Sequence, residues 1–92
     1  MILFRIMTMN AITPKEKVHL LLGNIRSVRQ LKNYTQEYLA VKIGISPKTY
    51  RKLEHGAITL TLPYFLQIAE ILDLEPMQLI EGHGIDSISL FH

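Results

Sequence analysis

The 92-residue sequence contains no cysteine and no tryptophan. Without cysteine, disulfide staples, thiolate zinc sites and thiol nucleophiles are excluded together. The four histidines, His19, His55, His83 and His92, are scattered without the spacing of metal ligands and without acidic companions at ligand spacing, so neither a metal nor a cofactor is expected. No apolar run approaches the ~20 residues that a membrane span requires. Residues 1–7 are too few for a secretory apolar core and are not followed by a small-residue cleavage site, so a cytoplasmic setting is the expectation. The last third of the chain lacks positive charge altogether: from Ala57 onward there are five acids and no lysine or arginine.

The chain is nevertheless rich in apolar residues, at 48%. A domain of this length buries only about 60–65% of its unfolded surface, so some of that apolar surface is expected to serve an oligomer interface. The positive charge is concentrated in the middle, where residues 23–56 hold seven Lys/Arg against two Glu. The net charge of +2 hides this partition. A basic middle followed by an acidic end suggests that one face is held toward a polyanion and another is turned away.

Helix signals run through the chain. Thr13-Pro14-Lys15-Glu16 has the form of a capping box with proline at the first helical position. Val18, Leu21, Leu22, Ile25, Val28 and Arg29 then form one stripe at helical spacing, to about Lys32, with Leu20 and Leu31 on the other side. Asn33 suits the left-handed backbone that ends a helix. Thr35 predicts a cap for a short helix over 36–42, with Leu39 and Ala40 inward. Gly44 supplies a turn. Ser46 and Pro47 open a third helix to about Glu54, with Tyr50 and Leu53 inward, stopping at His55-Gly56. Thr61 caps a fourth helix carrying Leu62, Phe65, Leu66, Ile68, Ala69 and Leu72, and Glu75-Pro76 opens a last one through Ile80. Residues 2–7 and 85–91 have strand-like composition, with Gly82-His83-Gly84 as a hinge before the second of them. The division expected is an N-terminal extension over 1–12, a helical domain over 13–81 and a tail over 82–92.

Two short helices joined by three or four residues are the informative feature. Helices that cross closely need a small residue at the contact, Ala40, and a sharp reversal between them, Gly44. The second helix must be held from beneath by apolar residues one turn apart, Tyr50 and Leu53, which leaves its N-terminal end outward.

Gln36-Glu37-Tyr38-Leu39-Ala40, Gly44-Ile45-Ser46 and Tyr50-Arg51-Lys52-Leu53-Glu54-His55-Gly56 resemble the signature of the phage-repressor and Cro-like (XRE-type) helix-turn-helix family. Ile25-Arg26-Ser27-Val28-Arg29 is similar to its first helix, and Phe65-Leu66-Gln67-Ile68-Ala69-Glu70-Ile71-Leu72 to its fourth. The resemblance covers residues 23–81 without gaps. It implies an all-α, five-helix, lambda-repressor-like DNA-binding domain, and a transcriptional regulator, expected to be a repressor, with the helix over 47–54 in the major groove. By position it implies that Gln36 contacts a phosphate with its amide and backbone N–H, with Thr35 as cap and phosphate neighbour. It places Ser46, Pro47, Lys48 and Thr49 at the exposed end of the recognition helix, with Arg51 and Lys52 further along. Positions matching Pro47, Lys48 and Lys52 face base edges, and that matching Thr49 faces phosphate. Lysine there favours guanine O6 and N7. Arg29 and Glu54 match a pair that ties the first helix to the end of the third, here expected to be partly buried.

Three departures qualify the resemblance. Pro47 has no N–H to offer a base. The loop Ala57-Ile58-Thr59-Leu60 lacks the Lys, Arg and Pro common in relatives, which implies fewer phosphate contacts. Tyr50 stands where an aliphatic residue is usual, with its hydroxyl expected at the edge of the core. Tyr34 and Tyr38 read as packing residues rather than base stackers. The acids Glu70 and Asp73 have no nucleophile or cleft beside them, so an enzyme is not expected.

Partners follow from the same resemblance. One such unit reads few base pairs, so a homodimer on a palindromic double-stranded operator is expected, with the strand-like termini as the candidate interface. An antitoxin with a toxin protein partner is an alternative within the same class. A protein-interaction module that has lost DNA binding, suggested by Ile58 and Leu60, is an alternative of another.

Overall fold

Among the described residues five helices form the fold, four of them opened by a Thr or Ser whose side chain caps the first turn. The computed structural model describes residues 12–82. Among these are α1 (Pro14–Leu31), α2 (Gln36–Ile43), α3 (Pro47–His55), α4 (Leu62–Ile71) and α5 (Pro76–Glu81), and no strand. The strands expected at 2–7 and 85–91, and the hinge beyond Gly82, lie outside the described residues.

The starts follow from capping. Thr13 Oγ1 accepts the Glu16 N–H at 3.1 Å while the Glu16 carboxylate accepts the Thr13 N–H at 2.9 Å, which closes the box. The backbone hydrogen bond to Thr13 is the chief reason the Glu16 carboxyl is held below the usual carboxylate range. Thr35, Ser46 and Thr61 each accept a backbone N–H three residues ahead, from Tyr38, Thr49 and Tyr64. The stops are left-handed residues: Asn33 (φ 60°) follows α1 and Asp73 (φ 58°) follows α4, while Gly44, Gly56 and Gly82 end the others. Asp73 thus helps to end α4 through its own left-handed backbone.

The principal packing contacts join the helices in a ring. α3 lies on α2 and α1, α2 on α4, α4 on α5, and α5 returns to α1. The core inside the ring comprises Leu22, Ile25, Val28, Leu39, Ala40, Tyr50, Leu53, Phe65, Ile68, Ala69, Leu72 and Leu79. Asn24 stitches the ring shut, its side-chain amide donating to the Leu79 carbonyl at 2.7 Å across 55 residues of chain.

The helical stripes are narrower than their spacing suggested. Val18, Leu62 and Leu66 lie at helical spacing with core residues but are exposed, along with the expected Leu20 and Leu31. In the first turns of α1, residues 13–20 are all exposed. Leu62 stands at the free end of α4, where no neighbour covers it. Ile58 and Leu60, by contrast, are half-buried and pack against the core.

Candidate nucleic-acid interface

α2 and α3 are separated by Gly44, Ile45 and Ser46 alone. The reversal depends on two backbone bonds to one acceptor: the N–H groups of Gly44 and Ile45 both donate to the Ala40 carbonyl, at 2.8 and 3.0 Å. Gly44 adopts φ +90° to make the second possible, a region costing a residue with a Cβ about 1–2 kcal/mol. Ala40 is wholly buried at the helix–helix contact, as its small side chain permits.

Ser46 starts α3 twice over. Its Oγ accepts the Thr49 N–H at 3.0 Å and donates to Thr49 Oγ1 at 2.8 Å. Pro47 occupies the first turn, where its missing N–H costs no helical hydrogen bond. α3 is sharply two-sided. Tyr50, Leu53 and Glu54 are buried, while Ser46, Pro47, Lys48, Arg51 and Lys52 are exposed and Thr49 is half-buried. Three cations therefore stand on the outer side with no acidic residue of α3 among them. Arg51 reaches Glu37 of α2 at 3.5 Å, but both side chains are about half exposed or more, and such a pair contributes at most about 1 kcal/mol. Tyr34 and Tyr38 pack on each other with ring centroids 4.6 Å apart, and Lys42 Nζ lies 5.6 Å from the Tyr38 ring centre.

Beneath α3 lies a polar cluster whose hub is Glu54, 2% exposed. Arg29 grips its carboxylate with two parallel bonds, Nε to Oε2 and Nη2 to Oε1, both 2.9 Å. The third Arg29 nitrogen, Nη1, donates to the Tyr34 carbonyl at 3.0 Å. Tyr50 donates its hydroxyl to Oε2 at 2.7 Å and Gln36 donates its amide to Oε1 at 3.1 Å. Among the described residues no buried side-chain nitrogen or oxygen lacks a partner, which is the condition under which a buried charge is tolerable.

Charge states follow from this arrangement. Burial alone would push the Glu54 carboxyl up, but the hydrogen bonds from Arg29 and Tyr50, the Arg29 charge and the Gln36 amide together outweigh it and hold the group below its ordinary range. The bond to Glu54 raises the Arg29 guanidinium further, against the opposing effect of burial. Burial, then the bond to the Glu54 carboxylate, pushes the Tyr50 phenol far up, so it stays a donor.

The expected Arg29–Glu54 pair is thus present, and more deeply enclosed than partly buried implied. Tyr50 differs from expectation: the residue is wholly enclosed, and its hydroxyl lies in the interior against Glu54 rather than at the core's edge. The side-chain amide of Gln36 is directed in part inward, to Glu54, which leaves its second amide hydrogen and its carbonyl oxygen uncommitted to that bond. Thr35 is exposed at the same helix start. The sequence pattern gives Arg26 no role of its own, though it precedes Arg29 by one turn of α1. Its Nε lies 3.8 Å from Glu54 Oε1 and its Nη2 donates to the Glu54 carbonyl at 3.5 Å.

A small helix ring in which one short helix is capped, propped from beneath and left bare along a cationic side is the architecture of a helix-turn-helix domain. A family model for the helix-turn-helix matches residues 25–79, and the chain belongs to that family, one of DNA-binding domains rather than of enzymes. The first eleven residues of α1 precede the match. Comparison with curated proteins and with solved structures finds no match. No helix among the described residues is long and apolar enough to cross a membrane.

Proposed function

We propose that the chain binds double-stranded DNA sequence-specifically, as a transcriptional repressor, with α3 in the major groove. The carrying observation is the division of α3: Tyr50, Leu53 and Glu54 bind it to the body, and Lys48, Arg51 and Lys52 are exposed on the other side. Lys48 and Lys52 then meet base edges with Pro47 in apolar contact, and Thr49, Gln36 and Thr35 meet phosphate. Arg51 leaves Glu37 for the nucleic acid at little cost, because the pair is exposed.

One α3 spans too few base pairs for specificity, so the functional unit is a homodimer on two half-sites about one helical turn apart. The setting is the cytoplasm. Ile58 and Leu60 pack half-buried against the core, which supports reading them as structural residues rather than as a docking surface for protein partners. Selection of bound fragments from random duplex DNA tests the proposal. The expected product is an inverted repeat with a fixed spacing. A folded protein that enriches no sequence and is not retained on duplex DNA at low salt would overturn it.

A further inference from the structure

Glu54 carries one negative charge, and two arginines converge on it. Arg29 satisfies it alone: two bonds of 2.9 Å, a third donor spent on the Tyr34 carbonyl, and a side chain 10% exposed. Arg26 adds a second guanidinium that the carboxylate does not need. Its contacts are longer, 3.8 Å to Oε1 and 3.5 Å to the Glu54 carbonyl, and its side chain is 40% exposed. The cluster therefore carries one surplus positive charge, and its exposed share belongs to Arg26.

The placement of that charge is specific. Arg26 and the Gln36 amide approach the same atom, Glu54 Oε1, so the two side chains are neighbours where α1, the start of α2 and the end of α3 meet. One is a cation with several of its five N–H donors unspent, and the other is an amide with one N–H left over. The loop at 57–60 offers no cation of its own. We infer that Arg26, beside Gln36, is a backbone-phosphate contact of the DNA-bound state, with buried Glu54 as the positioning residue that holds both in register with α3.

This inference rests on the proposed DNA binding and deepens it. The tie between α1 and α3 that Arg26 also makes would cost stability on removal, but it would not produce a salt-dependent loss of affinity.

Neutralising one phosphate changes the slope of log K against log salt by about 0.9. Wild type, Arg26→Gln and Arg26→Lys are titrated by fluorescence anisotropy with a random-sequence duplex and with a selected one, from about 50 to about 200 mM salt. Arg26→Gln, which keeps a donor toward Glu54 without the charge, should weaken both duplexes by one factor. Its slope should be shallower by about 0.9, so that the deficit shrinks about three- to fourfold across that salt range. Arg26→Lys should restore the slope. A folded Arg26→Gln with the wild-type slope would overturn the inference while leaving DNA binding intact. Failure of wild type itself to bind any duplex would instead remove the underlying proposal. Should Arg26→Gln not fold, the Nε–H signals of the wild-type arginines decide by NMR: duplex should shift that of Arg26 and leave enclosed Arg29 nearly still, and an unmoved Arg26 signal sinks the assignment.

Discussion

At the residue scale, the centre of the molecule's polar chemistry is a carboxylate withdrawn from water. Glu54 is stable there because Arg29, Tyr50 and Gln36 occupy its lone pairs. Its folded pKa lies below the ordinary 4.5, so as pH falls the unfolded chain takes up this proton first. The cluster's contribution is therefore complete above about pH 4.5 and is lost as pH drops through the depressed folded value. Urea unfolding followed between neutral pH and pH 3 should show that loss. The Glu54 carboxyl signal in NMR should have its midpoint below 4.5, and a midpoint at or above it would contradict the geometry. Tyr50→Phe keeps the buried ring and deletes one donor to a charged acceptor, at a cost of about 1.5–3 kcal/mol. The same variant should move the Glu54 midpoint upward, an effect that loss of packing alone would not give.

At the scale of single elements, the turn between α2 and α3 is set by a backbone angle rather than by space. A Cβ added at Gly44 would meet nothing within 4 Å, yet φ is +90°. Gly44→Ala should therefore lose about 1–2 kcal/mol in denaturant titration, and Gly44→Asn less, since asparagine tolerates that region. Equal stability of glycine and alanine would mean that the turn is not left-handed. The same locality explains what the sequence disclosed. Thr13, Thr35, Ser46 and Thr61 set helix starts through bonds to residues three positions away, and Gly44, Gly56 and Asn33 set stops through their own φ, so the boundaries fall within a residue or two of their expected places. Exposure of Val18, Leu62 and Leu66 was not legible, because periodicity fixes a face but not where along it the neighbouring helix ends. Nor was the Gln36–Glu54 bond, or the inward path of the Tyr50 hydroxyl. The first joins two helices, so its distance exists only once the ring has closed; the second joins residues one turn apart on α3, and what periodicity leaves open is that Glu54 itself is enclosed.

At the scale of the whole molecule, the exposed acidic and basic side chains divide by element: those of α3 are basic and those of α4 and α5 acidic. α3 with its exposed lysines packs on α1 and α2, whereas Glu70, Asp73, Glu75 and Glu81 belong to α4, α5 and the joint between them. A polyanion is thus attracted to α3 and repelled from α4 and α5, which biases the approach before any specific contact forms. Contacts to bases and contacts to phosphates then separate by experiment. Lys48→Ala and Lys52→Ala should each weaken binding to the selected site by about 1–3 kcal/mol while changing random-sequence binding far less. Gln36→Ala should weaken both alike, because a phosphate contact carries no sequence information. Since Gln36 also satisfies Glu54, its variant needs a melting curve beside the binding curve, and the uniform loss must persist at temperatures where it is fully folded. If the lysine variants lost affinity equally on every duplex, α3 would be held against the backbone rather than in the groove, and the assignment of base contacts to Lys48 and Lys52 would fail even with DNA binding intact.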